Sequence, residues 1–435
     1  MATLLLAFPF ILSPQEPAPP PVQEPEPEGV ASESVAPPQQ EPSAQDDGGF
    51  ASALARLSGQ QPWWEDGEEQ LSRLDFGLLF DFYSAFSEKD DSDDAYNEVR
   101  VRSAMLHARA PVDETASVYA TMDFADPGDG AEFVLREAAA RIHSLPLPFW
   151  PANFHLLVGQ YYADLGAWNT VMAHEFPAPQ LDGVRRTFLG GNLAARGVEA
   201  HHFIPLRNWN LRWSLGLASE VEGQDVDAND FGLVVDDDPA AFDRFGFHNW
   251  TWTGRVESQW DLGGERTLRA GVSGLVVPNE VRFTTVPGLG VARDEATHWM
   301  LGFDTGFRWE LSEGERAHEV SLEVWLDDNE YRIGTPGTLV GEQERGEWLM
   351  YEFTLDRNWS FGGLASRFDQ PSVGADLDGH YHALWSSYRF SNVNEFSLFF
   401  THTNPAPGEQ KWYSIGGEWV LSVGATRDVG HRRWN

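Results

Sequence analysis

Between His248 and Leu326 one pattern occurs three times, and it restricts this part of the chain to long β-strands with two unlike faces. In 250–262, alternate residues read Trp250, Trp252, Gly254, Val256, Ser258, Trp260 and Leu262. They interleave with Thr251, Thr253, Arg255, Glu257, Gln259 and Asp261. The split recurs as Trp299, Leu301, Phe303, Thr305, Phe307, Trp309 and Leu311 against Met300, Gly302, Asp304, Gly306, Arg308 and Glu310. A third copy sets Val320, Leu322, Val324 and Leu326 against Glu319, Ser321, Glu323 and Asp327. Period-two alternation places one set on each face of a strand. One face is apolar with Trp near its ends, and the other is charged or small. A soluble sandwich turns its aromatics into a core. Strands of about ten residues with Trp at both margins of the apolar face instead suit a transmembrane β-barrel.

The 435-residue length accommodates one large barrel or two to three ordinary domains. The formal charge of −37 argues against a nucleic-acid partner. Eighteen Trp, forty-one Gly and no Cys fit an exported β protein without disulfides. No apolar run is long enough for a helical span, and a barrel would not show one.

Three regions follow. Residues 1–13 carry an apolar core, Leu4 to Leu12, like that of a secretory signal. They lack a basic leading segment and a small-x-small cleavage site, so the segment reads as a signal peptide with a defective or misplaced start. Residues 14–70 form a Pro/Glu-rich linker, with room for a short helix at Phe50–Leu57. Such a composition buries too little apolar surface to offset its ordering entropy, so the linker is expected to be disordered. Residues 71–435 are expected to form an all-β, antiparallel barrel of about sixteen strands.

Those strands fall near 74–84, 97–109, 115–124, 132–145, 153–162, 196–204, 209–219 and 248–262. The second half supplies 266–276, 297–311, 317–327, 347–357, 359–368, 379–390, 394–403 and 411–423. Connections after even-numbered strands are short. Several after odd-numbered strands are long: Ala163–Ala195, Glu220–Phe247, Val277–Ala296 and Asp328–Glu347. Short turns on one rim and long loops on the other characterise outer-membrane barrels. An even strand number returns both ends of the barrel to the short-turn rim.

Around the fifth and sixth strands the sequence runs Leu157-Val158-Gly159-Gln160-Tyr161-Tyr162, then Leu165-Gly166, Asn169, His174-Glu175-Phe176-Pro177 and Arg196-Gly197-Val198-Glu199. It closes on Glu418-Trp419-Val420-Leu421-Ser422-Val423-Gly424, His431 and Trp434. These words resemble the porin-like outer-membrane barrels related to the phosphate-selective porin O/P group. The resemblance implies a sixteen-stranded channel, homotrimeric, for passive passage of small hydrophilic solutes or ions across outer-membrane lipid. An anion-selective member would carry a basic cluster at its constriction, and this sequence places few bases there.

The loop Ala163–Ala195 is the candidate constriction. It mixes Asp164, His174, Glu175 and Asp182 with Arg185 and Arg186, opposite strand residues Glu137, Arg141, Glu199 and Arg212. Opposed charges across a narrow pore would favour small polar solutes. Further lining is expected from Arg255, Glu257, Asp304 and Arg308, and from the carboxylates Glu319, Glu323, Glu352 and Glu418. An external flap with surface charges is the plainer alternative for the loop.

Acidic runs at 90–94, 225–230 and 236–238 offer hard oxygen ligands of the kind Ca²⁺ takes, or simply a solvated face that draws cations. His380 and His382 share a strand face and could hold a transition metal only if a third ligand converges. No nucleophile-elbow, zincin or phosphate-loop motif appears, so no enzyme is expected. The carboxylates Glu319, Glu323, Glu352 and Glu418 could form an acid/base pair of the glycosidase type, and a charged lumen lining explains them equally well. The rival readings are a secreted carbohydrate-binding or carbohydrate-cleaving β-sandwich and a plugged barrel serving as receptor or adhesin.

Overall fold

The computed structural model describes residues 74–424, apart from 90–94, 126–131, 144–149, 152, 179–182, 224–249, 287–289, 312–315, 334–337, 371–376, 392–393 and 405–410. The signal-like segment, the linker, the acidic runs and Asp182 therefore lie outside the described residues. Among the described residues no helix is long and apolar enough to cross a membrane.

Sixteen strands close into one ring in which each pairs antiparallel with its sequence neighbours and β1 pairs β16. They are β1 (Asp75–Lys89), β2 (Ala95–Pro111), β3 (Ala116–Ala125), β4 (Glu132–Ile142), β5 (Phe154–Tyr162), β6 (Leu193–Pro205), β7 (Trp209–Gly223) and β8 (Thr251–Asp261). The ring continues through β9 (Arg266–Val286), β10 (Gly290–Leu311), β11 (Arg316–Ile333), β12 (Thr338–Thr354), β13 (Trp359–Gln370), β14 (Leu377–Ser391), β15 (Asn394–Asn404) and β16 (Trp412–Gly424). Every described strand is paired on both sides, so the sheet has no edge strand of the kind an open sheet would present.

The two faces separate as the alternation requires. Trp252, Phe303 and Leu322 point outward and remain 47%, 42% and 38% exposed, whereas Thr253, Arg255, Asp304 and Glu323 point inward and are buried. A β-sandwich would bury the first set, so that reading is excluded. Near the short-turn rim the outer face carries paired rings, Trp309 stacked on His318 (4.6 Å) and Trp359 tilted against Tyr388 (4.7 Å). Aromatic rings at the margin of an apolar band are what a water–lipid boundary selects.

The short turns are held by aspartates. Asp113 Oδ1 accepts from the Thr115 and Ala116 amides at 2.7 and 2.9 Å, and Asp356 Oδ1 from the Asn358 and Trp359 amides at 2.8 Å each. A carboxylate capping its own turn is the ordinary reason for Asp at a turn's first position.

Two expectations need correction. Val277–Ala296 and Asp328–Glu347 are mostly strand rather than loop: β9 and β10 pair as far as Val286 opposite Gly290, and β11 and β12 as far as Ile333 opposite Thr338. Charged residues such as Glu280, Asp294, Glu330 and Glu342 interrupt the apolar alternation there without interrupting the backbone ladder, so side-chain patterning underestimates strand length. The inner face is also not uniformly charged or small. Trp325, in register with Gly302 and Gly346, is completely buried inside the ring, as are Trp348, Phe368 and Trp385 nearly so. The wall is uneven, with β3–β5 at 10, 11 and 9 residues against 21 and 22 in β9 and β10.

Candidate functional site

The segment 163–192 between β5 and β6 folds into the ring and reaches the opposite wall. It contains a 3₁₀ turn (Ala173–Glu175) and a short helix, α1 (Gly183–Leu189). A Cβ on Gly183 would lie 1.9 Å from the Phe368 ring of β13, and one on Gly346 of β12 would lie 2.5 Å from the Phe188 ring. Both positions therefore need glycine for α1 to seat against the wall. Val184, Phe188, Leu189, Trp168 and Phe176 join one buried cluster with Trp325, Trp348, Phe368, Tyr381 and Trp385. Trp168 meets Phe176 edge-on at 4.8 Å and Trp348 at 6.2 Å. The inner aromatics thus form a bed for the segment, and full burial of a ring such as Phe188 is worth about 1.5–3 kcal/mol. An external flap is excluded by this placement.

Polar groups fix both ends of the segment. At its neck, Asn169 Nδ2 donates to Ala163 O and Leu193 O (2.8 and 2.9 Å), while its Oδ1 accepts from the Leu193 amide at 2.7 Å. Beyond the neck, the Asp164 amide donates to Glu199 Oε2 (3.1 Å), the Gly166 amide to Ser273 Oγ (2.9 Å) and the Ala167 amide to Glu323 Oε1 (3.1 Å). Gly166 has φ +60°, and any Cβ there would fall 1.9 Å from Glu323 Oε1, so the tight approach requires glycine.

The lumenal charges form a continuous network around Asp164. Arg212 Nη2 donates to Asp164 Oδ1 at 3.2 Å, and Arg255 Nε lies 3.8 Å from the same oxygen. Arg255 Nη1 and Nη2 donate to the two oxygens of Asp304 at 2.6 and 2.9 Å, and Nη2 also to Glu257 Oε2 at 2.6 Å. His201 Nε2 lies 2.7 Å from Glu199 Oε1, and its ring stacks on that of His155 at 4.7 Å. Buried charges persist only when paired in this way.

The remaining expected positions divide by place. Glu137 is buried and accepts from Thr121 Oγ1 at 3.4 Å. Arg141 stands over the Tyr119 ring at 6.0 Å. Arg185 is fully buried; its Nη2 donates to Val171 O at 2.9 Å and its guanidinium covers the Phe176 ring at 5.0 Å, so it braces the segment from within. Arg186 on α1 is half-buried. Glu175 Oε2 accepts from the Met172 amide at 3.0 Å, beside His174 at 4.0 Å. Toward the short-turn rim, Arg308 binds Glu310 at 2.9 Å and lies 3.9 Å from Glu319, which stands opposite Glu352.

Two arginines escaped sequence reasoning for a definable reason. Arg102 of β2 and Arg136 of β4 are the extra residues of β-bulges, where the register skips between Ser103 and Val101 and between Glu137 and Leu135. A bulge reverses the alternation and leaves its extra side chain free to turn inward. Arg102 Nε donates to Asp81 Oδ2 at 2.7 Å, and the same guanidinium binds Glu418; Arg136 Nη2 donates to Asp123 Oδ2 at 2.8 Å. Arg102 also stands over the Tyr83 ring at 5.3 Å. The only signal in the sequence is the clash of phase between Val99-Arg100-Val101-Arg102 and Ser103-Ala104-Met105.

No protein-family model and no curated protein matches the sequence. Among solved structures, the chain is similar to OprB of Pseudomonas putida, with TM-score 0.51 and 11% identity, over 87% of this chain and 97% of that one. It also aligns with the outer membrane channel DcaP of Acinetobacter baumannii (TM-score 0.49, 12% identity, 82% and 98% covered) and with OmpF of Salmonella typhi (TM-score 0.49, 9% identity, 81% and 99% covered). The likeness to OprB concerns the fold.

Proposed function

We propose that this barrel is an outer-membrane porin, a water-filled channel for passive diffusion of small hydrophilic solutes or ions. The observation that carries the reading is the pairing of an apolar outer face with an inner face where charged strands surround a segment, 163–192, docked across the lumen. The outer face suits hydrocarbon, and a charged residue placed there at mid-membrane costs about 2–4 kcal/mol. Passage is then limited by the segment and by the charges left partly open to water, Arg141, Glu175, Arg186, Arg212, Glu257, Arg308 and Glu352, with Glu137 and Glu319 buried behind them. No residue is assigned a catalytic role.

The finer resemblance to phosphate-selective porins gains little support, because Arg102, Arg136 and Arg255 are each paired with carboxylates. Weak selectivity, or a preference for cations, fits better. Homotrimeric assembly belongs to the same proposal. It is supported by the low wall at β3–β5 and by an outward row in which Ala108, Ala120 and Ala138 stand in register, a flat surface suited to another copy.

The test is conductance in planar bilayers of barrel refolded in detergent. Discrete steps with weak cation preference are expected. Folded barrel that inserts without conducting contradicts the porin reading and favours a plugged receptor, for which the apolar seating of α1 is the supporting observation.

A further inference from the structure

On the outer face of β14–β16, away from the lumen, three rings stand in one row. His382 lies directly opposite His402, and His402 directly opposite Tyr413. The two imidazoles are parallel within 2° with centroids 5.8 Å apart, and Tyr413 stacks on His402 at 4.7 Å. The next row toward mid-wall is Leu384, Phe400 and Ile415, apolar and 63%, 43% and 61% exposed. The next row toward the long-connection rim sets His380 against Asn404. The imidazoles therefore mark the height at which the apolar band gives way to polar side chains, with water within reach on the rim side. Trp and Tyr are the ordinary residues of such a boundary, and a facing pair of histidines is not accounted for by contact with lipid.

We propose that His382 and His402 form a two-imidazole site for a divalent transition metal. Directly opposed residues of an antiparallel pair hold their Cβ atoms roughly 4.5–5.5 Å apart. Two metal–nitrogen bonds of about 2.0–2.1 Å each bring the ring nitrogens within about 4 Å of one another, so both rings must tilt inward from the parallel arrangement. His382 is exposed and free to swing, while Tyr413 backs His402 and narrows the orientations that must be lost on binding. Imidazole nitrogen without carboxylate selects zinc, copper or nickel over calcium or magnesium. Among the described residues no three His, Cys, Asp or Glu side chains already converge on one point. The site is accordingly a two-point chelate completed by water, weaker than a closed structural site. His380 shares the face two residues away. The inference holds whether or not the barrel conducts.

The test uses the full folded chain in detergent, titrated with Zn²⁺ by calorimetry and with Cu²⁺ by electron paramagnetic resonance. One Cu²⁺ per chain with two nitrogen ligands is expected, and His382→Ala and His402→Ala should each weaken Zn²⁺ binding at least tenfold while the barrel stays folded. Absence of Zn²⁺ binding in the parent overturns the proposal. So does unchanged affinity in both variants, or loss of binding in His155→Ala alone, which would move the metal to the lumenal imidazole pair.

Discussion

Arg255 and Asp304 meet inside the ring as a two-point pair, with Nη1 to Oδ2 at 2.6 Å and Nη2 to Oδ1 at 2.9 Å, and both side chains are withdrawn from water. The fork-to-carboxylate match is the strongest geometry available to an ion pair. Removing one partner leaves a buried charge short of compensation, at a cost of about 3–5 kcal/mol. Asp304→Ala should fall at the lower end of that range, because Glu257 and Asp164 also face Arg255. Arg255→Met takes the shared guanidinium from Asp304, Glu257 and Asp164 together, so it should cost more than Asp304→Ala. Urea unfolding in lipid vesicles measures both; an Arg255→Met variant no less stable than Asp304→Ala would contradict the assignment.

The seat of α1 supplies a second prediction. Phe188→Ala removes the ring that fills the space above Gly346, and large-to-small changes of this kind cost about 3–5 kcal/mol in a packed site. Because the loss falls on the docking of 163–192, larger and noisier conductance steps should appear, together with faster proteolysis within the segment. Steps and cleavage rates equal to the parent's would mean that the segment does not limit passage.

A third prediction concerns the turn between β2 and β3. The Thr115 hydroxyl and amide bonded to Asp113 hold its carboxyl below the usual aspartate range. A depressed folded value contributes stability that is present above the unfolded value, about 3.9, and is lost as pH falls through the folded one. The gap in unfolding midpoint between the parent and Asp113→Ala should therefore be full at pH 7 and shrink below about pH 4. A gap independent of pH would show that the carboxylate charge is not what holds the turn.

How much of this was legible in the sequence depends on which physical signal carried it. The strand number and the facing of β8 and β10 follow from alternation, since a strand between lipid and polar interior must write its two faces differently. Trp325 shows where that signal stops: it belongs to the inward set, yet it is aromatic because it packs beneath a segment more than a hundred residues earlier in the chain. Arg102 and Arg136 were hidden because a bulge changes phase, and phase is what alternation measures. The acids and bases of 163–192 were visible, but not that Arg185 would turn into the segment instead of toward water, which only its neighbours Val171 and Phe176 decide.

A porin wall must turn its Phe303 face to lipid and its Arg308 face to water. The chain has no cysteine, so single substitutions report without background. Phe303→Cys and Arg308→Cys lie on the same strand with opposite facing. In lipid vesicles, a charged water-soluble thiol reagent should modify Arg308→Cys and leave Phe303→Cys untouched, while a fluorophore at position 303, and not at 308, should be quenched by brominated lipid. The reverse pattern, or lipid quenching at both positions, would contradict a hydrophilic lumen bounded by a hydrocarbon-facing wall.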